Sequence, residues 1–153
     1  MSTRTWTVYL AGEIHSGWRK EIVEGCRQAD LPVDLTSPVI DHRNSDECGV
    51  AILGEEEKPI WRDRKGAGIN AIRTRTHLEE ADVVVVRFAG EYREWNAAFE
   101  AGQAAALGKP LVILHPPEHA HALKEIAAAA NAVVERPDQV VSILRYVITG
   151  ELG

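Results

Sequence analysis

Glu100 is the residue whose position in the sequence points most directly to chemistry. It lies four residues after Asn96, the predicted N-cap of an alanine-rich helix over residues 96–107. Helical side chains lean toward the N-terminus of their helix, and that end favours the ionised form of a carboxyl group. A positioned carboxylate can act as a nucleophile or stabilise a cationic transition state. The alternative is an ordinary acidic residue near a helix start.

The segment Gly12-Glu13-Ile14-His15-Ser16-Gly17 is a second candidate, because it follows a predicted strand and opens a helix with Ser16 as its cap. Free backbone N–H groups in such a loop can hold an anion such as phosphate. The loop lacks the glycine spacing of a dinucleotide motif or a P-loop, so a plain tight turn explains it equally well. Tyr9, in the preceding strand, either belongs to the core or directs its hydroxyl to the same site.

A local excess of positive charge surrounds Arg73 and Arg75 in an otherwise acidic chain, with Arg62, Arg64 and Lys65 nearby. These side chains could bind a phosphate group. A solvated helix face is the competing explanation and is slightly favoured, since Lys and Arg are usually surface residues.

The histidines and cysteines do not form a metal motif. His115, His119 and His121 lack the spacing of a zinc site and have no cysteine nearby, so no metal is expected. His115 alone falls at the end of a predicted strand, where it could touch a ligand. Cys26 and Cys48 are too few for a disulfide framework and are predicted to be reduced thiols.

Short apolar runs alternate with helical patterns along the whole chain. The clearest run, residues 82–88, holds four consecutive valines, which is typical of a central parallel strand buried on both faces. The segment 38–59 is polar and is predicted to be an irregular connection, and the next helix, 61–80, contains Gly66 and Gly68 as potential breaks. Further strands are predicted at 5–11, 33–35, 110–114 and 132–134, and further helices at 17–30, 120–130 and 138–149.

This alternation predicts an α/β fold of the flavodoxin-like, doubly wound type, with about five parallel strands in the order 2-1-3-4-5 and helices on both faces. Residues 1–153 are expected to form a single domain. In such folds, ligands bind beyond the carboxyl ends of the strands. The ligand-binding site is therefore expected at the connection from strand 82–88 to the helix that carries Asn96 and Glu100.

The bulk composition narrows the class of partner. The chain has 153 residues, is 45% hydrophobic and carries a net charge of −6, which argues against binding to nucleic acid polymers or anionic membranes. The start of the sequence does not have the pattern of a signal peptide, and no apolar run is long enough to span a membrane. A cytoplasmic location is expected.

Three segments resemble the nucleoside 2-deoxyribosyltransferase superfamily: residues 81–86 (ADVVVV), 95–104 (WNAAFEAGQA) and 107–110 (LGKP). Residues 8–12 (VYLAG) resemble its first strand and loop. Within the superfamily, the chain looks closest to the YtoQ family over nearly its full length, on the basis of residues 69–76 and 93–99.

The resemblance implies an enzyme that cleaves or transfers the N-glycosidic bond of a nucleoside or nucleotide, as a hydrolase (N-glycosidase) or a transferase. Glu100 falls at the position of the nucleophile, with Asn96 and Tyr9 orienting the substrate. The loop Gly12–Gly17, with Arg73 or Arg75, would contact the polar end of that substrate.

The resemblance also implies no metal or organic cofactor, and it implies a homo-oligomer. The aromatic residues Trp18, Trp61 and Trp95 could lie at its interface.

The sequence departs from the superfamily pattern at three places. Arg73-Thr74-Arg75 stands near a common aspartate, Asn96-Ala97-Ala98 replaces a glycine-containing pair, and the first loop carries Glu13 and His15. These changes affect the expected substrate more than the fold. A non-enzymatic nucleotide-binding or sensing domain is therefore the alternative function, and a structural subunit is a third possibility.

Overall fold

The computed structural model describes residues 4–89 and 94–153, and strands and helices alternate along them. The elements are β1 (Trp6–Gly12), α1 (Trp18–Gln28), β2 (Val33–Thr36), α2 (His42–Leu53), α3 (Pro59–Glu80), β3 (Val83–Arg87), α4 (Trp95–Ala106), β4 (Leu111–Leu114), a short 3-10 helix (Pro117–His119), α5 (Lys124–Ala128), β5 (Ala132–Val134) and α6 (Pro137–Thr149).

The five strands form one parallel sheet in the order β2-β1-β3-β4-β5, which confirms the predicted topology. Strand β3 is central, with Val8 opposite Val83 on one side and Val112 opposite Val85 on the other. Its consecutive valines are almost fully excluded from solvent, as expected of a strand covered on both faces.

Alternation along β1 separates two cores. Val8 and Leu10 point to the side covered by α1 and α6, while Tyr9 and Ala11 point to the side of α3 and α4. On that second side, α4 approaches the sheet through a stripe of small buried residues: Ala97, Ala101 and Ala104.

Helix α2 corrects the prediction of an irregular connection over residues 38–59. Asp41 is its N-cap and accepts a hydrogen bond from the Asn44 N–H at 2.9 Å. The helix has little apolar periodicity because it packs mainly against α3, burying only Gly49 and Val50. A helix with so narrow a buried face gives a weak hydrophobic signal.

Helix α3 is continuous, so the predicted break near Gly66 and Gly68 was wrong. Gly66 lies where α2 and α3 touch backbone to backbone. A Cβ atom on Gly49 would lie 2.3 Å from the Gly66 nitrogen, so this crossing has no room for a side chain at position 49. A Cβ atom on Gly66 would be tight, at 3.1 Å from the Asp46 carbonyl oxygen.

Two predicted caps were also wrong. Helix α1 begins after Gly17, and Ser16 bonds elsewhere; helix α4 begins after Glu94, which places Asn96 inside the first turn. The Glu94 carboxylate reaches back to accept the Ala89 N–H at 2.8 and 3.0 Å, and this contact bridges the start of the helix to the end of β3.

Smaller differences concern the last third of the chain and the aromatic residues. The helix predicted over 120–130 is shorter, since the 3-10 helix and a turn precede α5.

Trp18 is buried and does not belong to an exposed surface, whereas Trp61 and Trp95 are exposed. Both cysteines are free thiols. None of the helices in residues 4–89 and 94–153 is long and apolar enough to cross a membrane.

Candidate functional site

A cleft of about 630 Å³ opens on the α3 and α4 side of the sheet. Its walls come from β1, the segment after β2, and helices α2, α3 and α4. Four of the predicted site residues meet there: Tyr9, Arg73, Asn96 and Glu100. The cleft is further lined by Pro38, Val39, Ser45, Asp46, Asp63, Gly66, Ala67, Asn70, Ala71, Thr74, His77, Phe99 and Gln103.

Glu100 occupies this cleft as a half-buried carboxyl group. Burial raises its pKa to about 7, against the opposing effects of the Arg19 charge and hydrogen bonding by Thr74. Burial therefore opposes the ionised form that the helix N-terminus was expected to favour. Because α4 begins at Trp95, Glu100 lies beyond the first turn, where the helix dipole has largely faded.

Tyr9 lies at the floor of the cleft with a fully buried side chain. Its ring stacks on His77, with centroids 5.2 Å apart and planes 12° from parallel. Burial, followed by the nearby Glu100 charge, raises the Tyr9 pKa; Thr74 is near enough to lower it. Even so, the Tyr9 hydroxyl has no hydrogen-bond partner of acceptable geometry among the described residues.

A second buried hydroxyl without a described partner is that of Thr36. Thr36 pairs directly with Tyr9 in the ladder between β1 and β2, so both side chains rise from the same face of the sheet. Buried hydroxyl groups normally find a partner, which in this part of the molecule points to a polar ligand or to water.

Arg19 is a site residue that the sequence analysis missed. Its guanidinium donates to the carbonyl oxygens of Leu10 at 3.0 Å, Glu13 at 2.7 Å and Gly12 at 3.3 Å. Its charge acts on both Tyr9 and Glu100. Nothing in the local sequence of α1 distinguishes Arg19 from a surface arginine, because its partners are backbone carbonyls.

The first loop brings Gly12, Glu13, His15 and Ser16 together, but these residues do not line the cleft. The loop instead folds around the Glu13 carboxylate. One oxygen accepts the N–H groups of His15 and Ser16, the latter at 2.6 Å, and the other accepts the Ser16 hydroxyl at 2.6 Å and the Arg87 guanidinium at 2.5 Å.

The ionisation of Glu13 reflects this set of donors. Burial opposes its charge, but the hydrogen bonds from Ser16 and His15, together with Arg87, outweigh burial and lower its pKa. The loop thus supplies its own anion to the N–H groups that were predicted to face a phosphate. Gly12 is required by this geometry: its φ is +104°, and a Cβ atom would lie 2.2 Å from the Arg87 carbonyl oxygen.

The two arginines of the basic run have different positions. Arg73 lines the cleft, and its Nη2 lies 3.4 Å from the Nε2 of His77. Arg75 is not among the lining residues and forms an ion pair with Glu79 at 2.5 Å on the exposed surface of α3. Arg75 therefore fits the explanation of a solvated helix face.

A polar stripe along α3 was missed, although the sequence carries a signal for it. Asp63, Asn70, Thr74 and His77 all line the cleft, and Ala67 lies between the first two. These positions recur every three or four residues, which is the spacing of one helix face. The sequence analysis missed this helix face because it predicted a break at Gly66 and Gly68, which would place Asp63 and Asn70 on separate helices.

The remaining candidates lie apart from the cleft. His115 is buried and its Nδ1 lies 2.6 Å from the Pro116 carbonyl oxygen. Within the described part of the chain, no three His, Cys, Asp or Glu side chains are grouped so that they could hold a metal ion. Residues 90–93, part of the predicted handover from β3 to α4, lie outside the described residues.

Comparison with solved structures supports the fold. The chain superimposes on a 2-deoxyribosyltransferase from Bacillus psychrosaccharolyticus with a TM-score of 0.59 and 22% identity, covering 88% of this chain and 90% of that one. A conserved protein from Enterococcus faecalis V583 gives a TM-score of 0.63 at 19% identity, covering 94% and 99%. At these identities the likeness concerns the architecture alone.

Sequence comparison is more specific. The model of the family described as nucleoside 2-deoxyribosyltransferase YtoQ matches residues 9–148. The uncharacterized protein YtoQ of Bacillus subtilis (strain 168) is 40% identical over 144 residues, covering 94% of this chain and 97% of that protein. The chain therefore belongs to the YtoQ family of nucleoside 2-deoxyribosyltransferase-like proteins.

Proposed function

We propose that this protein cleaves or transfers the N-glycosidic bond of a nucleoside, with Glu100 as the nucleophile. The observation that carries the proposal is the Glu100 carboxyl group itself. It lies in an open cleft beside the buried Tyr9 hydroxyl, which lacks a partner among the described residues, in a family related to deoxyribosyltransferases. Perturbed carboxyl groups in clefts are characteristic of catalytic sites.

The reaction needs two displacements at the anomeric carbon. A Glu100 oxygen bonds to that carbon while the C–N bond breaks, and the bonding electron pair leaves with the base nitrogen, which takes up a proton. The oxygen of water, or a nitrogen of a second base, then attacks the same carbon and releases Glu100 as a carboxylate. The attacking group loses one proton in this step. Both transition states have oxocarbenium character, which an adjacent carboxylate stabilises.

The pKa of about 7 suits this role at neutral pH, because a substantial fraction of Glu100 is then ionised. A carboxylate that few donors stabilise is also a better nucleophile than one held by many hydrogen bonds. Tyr9 and Asn96 line the same cleft and would orient the sugar.

The charges around the cleft favour a neutral nucleoside over a phosphorylated one. Among the described lining residues, Arg73 supplies the one guanidinium or ammonium group, against the carboxyl groups of Asp46, Asp63 and Glu100. The first loop, which could otherwise receive a phosphate, is filled by Glu13. A phosphate dianion would meet like charge at this site.

The test is a covalent trap. Incubation with a 2′-fluoro-2′-deoxynucleoside should add the mass of the fluorosugar to the intact protein, and peptide mapping should place it on Glu100. Glu100→Ala should give neither adduct nor free base. Glu125→Ala, an exposed acid on α5, is the matched control and should behave like the wild type. Free base released by Glu100→Ala at the wild-type rate would refute the proposal.

A ligand-binding or sensing domain is the second candidate, and the same pKa is compatible with it, since the protonated fraction of Glu100 at neutral pH can donate a hydrogen bond to a ligand. It predicts tight binding across a nucleoside and nucleotide panel, with no adduct and no free base. The trap therefore separates the two functions.

We also propose that the chain forms a homo-oligomer. Phe99, at the mouth of the cleft, is 70% exposed, and Ile72 and Trp61 on α3 are 69% and 49% exposed. Exposed apolar side chains of this size are common where subunits meet. Light scattering of the purified protein should give a multiple of 16.8 kDa.

A further inference from the structure

The end of the cleft between α2 and α3 is lined by polar side chains. Ser45, Asp46 and Asn70 line it, and they come from two helices whose backbones touch at Gly49 and Gly66. Because a side chain at Gly49 would clash with the backbone of α3, the close crossing sets the distance between the two helices beside these polar groups.

The orientation of the Asn70 amide follows from its partner. Its Nδ2 lies 2.8 Å from the Ser45 carbonyl oxygen, and a carbonyl can only accept a hydrogen bond. The NH2 group of Asn70 must therefore face Ser45. Its Oδ1 is left as an acceptor, and no described residue donates to it.

Asp46 adds a second acceptor next to Ser45. Its side chain is exposed at the rim of the cleft, and one of its oxygens, Oδ2, lies 3.0 Å from the Nε2 of His42, which leaves Oδ1 available. The free polar atoms contributed by Asp46 and Asn70 are thus both acceptors. Two acceptors from different helices suit a ligand group that carries two N–H bonds on one atom.

The distance to the reacting end is also appropriate. Asn70 lies four residues before Thr74 on the same face of α3, which is about 6 Å along the helix axis. Thr74 acts on both Glu100 and Tyr9, and in the proposed reaction the anomeric carbon bonds to Glu100, so the base would extend from there toward Asn70. This spacing is about the reach from a glycosidic bond to an amine on the far side of a base.

An independent observation points to a polar ligand or water in the same cleft. The Tyr9 hydroxyl is fully buried, lines the same cleft and lacks a partner among the described residues. A ligand that extends from Tyr9 to Asp46 would give the Tyr9 hydroxyl a hydrogen-bond partner at one end. At the other end it would donate a hydrogen bond to Asp46.

We infer that Asp46 and Asn70 recognise the exocyclic amine of an amino-substituted base, so that the substrate class is that of adenine and cytosine nucleosides in preference to their oxo counterparts. The inference rests on the proposed function for the identity of the ligand. An oxo base would place a carbonyl oxygen against the Asp46 carboxylate, so that two acceptors would face each other without a proton between them.

The test uses free bases, because their binding does not require the reaction. Calorimetry should give adenine at least about tenfold tighter binding than hypoxanthine, and cytosine a similar advantage over uracil, as expected for a hydrogen bond to a charged acceptor. Asp46→Asn should reduce both ratios to near unity. Glu47→Gln, an acid paired with Arg43 on the same helix, is the matched control and should keep them.

The outcomes separate this inference from the proposed function. Equal binding of amino and oxo bases by the wild type would overturn the inference, as would unchanged ratios in Asp46→Asn. Cleavage of adenine and hypoxanthine nucleosides at equal kcat/KM would also overturn it while leaving the proposed function intact. A preference for amino bases without any cleavage would support base recognition and count against the enzyme.

Discussion

Glu13 is a buried carboxyl group and Glu100 a half-buried one, and the charges of both act on Arg19. The two carboxyl groups differ in the number of hydrogen-bond donors that surround them. Glu13 is enclosed by two backbone N–H groups, the Ser16 hydroxyl and Arg87, which lower its pKa. Glu100 has the Thr74 hydroxyl and the Arg19 charge, which do not offset burial, so its pKa rises to about 7.

The number of hydrogen-bond donors around each carboxyl group distinguishes an acid that stabilises the fold from one that can react. A carboxylate with all its lone pairs engaged stabilises the loop that surrounds it and has little capacity to bind anything else. A carboxyl group with few donors costs stability when it ionises, and that cost is recovered only when a ligand or a transition state meets it. By this criterion Glu13 maintains the loop and Glu100 acts on the substrate.

Glu13→Ala should produce the largest change in stability. It removes the buried Glu13 carboxylate that accepts from the partly buried Arg87 guanidinium and from the N–H groups of His15 and Ser16. Loss of one partner of a buried ion pair typically costs about 3–5 kcal/mol, so the free energy of unfolding should fall by about that amount. Urea denaturation followed by circular dichroism measures it.

The control for Glu13→Ala is Glu24→Ala, which removes an exposed acid paired with Arg27 on α1. Its unfolding midpoint should stay close to that of the wild type, as for most exposed ion pairs. A midpoint for Glu13→Ala that matches this control would contradict the structural role of Glu13.

Glu100→Gln should change stability in the opposite direction, and only at high pH. The folded-state pKa of about 7 lies above the ordinary value of 4.5, so the folded protein binds the proton more tightly. Stability from this group is therefore present below pH 4.5, decreases as the pH rises, and is lost above about pH 7. At pH 8 the glutamine variant should be more stable by about 2 kcal/mol, after allowance for partial solvent screening.

The measurement is the difference in unfolding free energy between Glu100→Gln and the wild type at pH 4 and pH 8. The difference should be small at pH 4 and favour the variant at pH 8. Turnover by the wild type should rise with pH through about 7, because the nucleophile is the ionised form. A difference that does not vary with pH would show that Glu100 has an ordinary pKa.

The sequence predicted the sheet better than the cleft, for a physical reason. Continuous apolar runs such as residues 83–86 specify strands buried on both faces, and their order follows from the alternation with helices. The position of Glu100 in the cleft was also predictable, from its place in the family motif. Helix α2 was not, because it buries only two small residues and has no clear apolar face.

The electrostatic properties of the site were beyond the sequence. Arg19 acts through backbone carbonyls, and the pKa of Glu100 depends on burial by elements far apart in the chain. The predicted phosphate loop shows the same difficulty, since its N–H groups exist as expected but are used by Glu13. The sequence identifies the N–H donors of the loop, but only the three-dimensional structure shows that the Glu13 carboxylate accepts from them.

Tyr9→Phe extends the comparison to a hydroxyl group that has no partner of acceptable geometry among residues 4–89 and 94–153, and its effect on the free protein should be the smallest. The Tyr9 hydroxyl is buried without a described partner, so its removal should leave the free energy of unfolding unchanged or raise it by up to about 1 kcal/mol. Ligand binding should show the reverse, because the hydroxyl gains its partner only there. Binding of a nucleoside should weaken by about fivefold to tenfold, the value of one hydrogen bond.

The two readouts for Tyr9→Phe must be taken together, by urea denaturation of the free protein and by calorimetry with the nucleoside. The ring is retained, so the stacking on His77 at 5.2 Å serves as an internal control for packing. A variant that is destabilised and binds as well as the wild type would show that the hydroxyl serves the fold. A variant that is as stable as the wild type and binds more weakly places Tyr9 with Glu100, among the groups whose partner is the ligand.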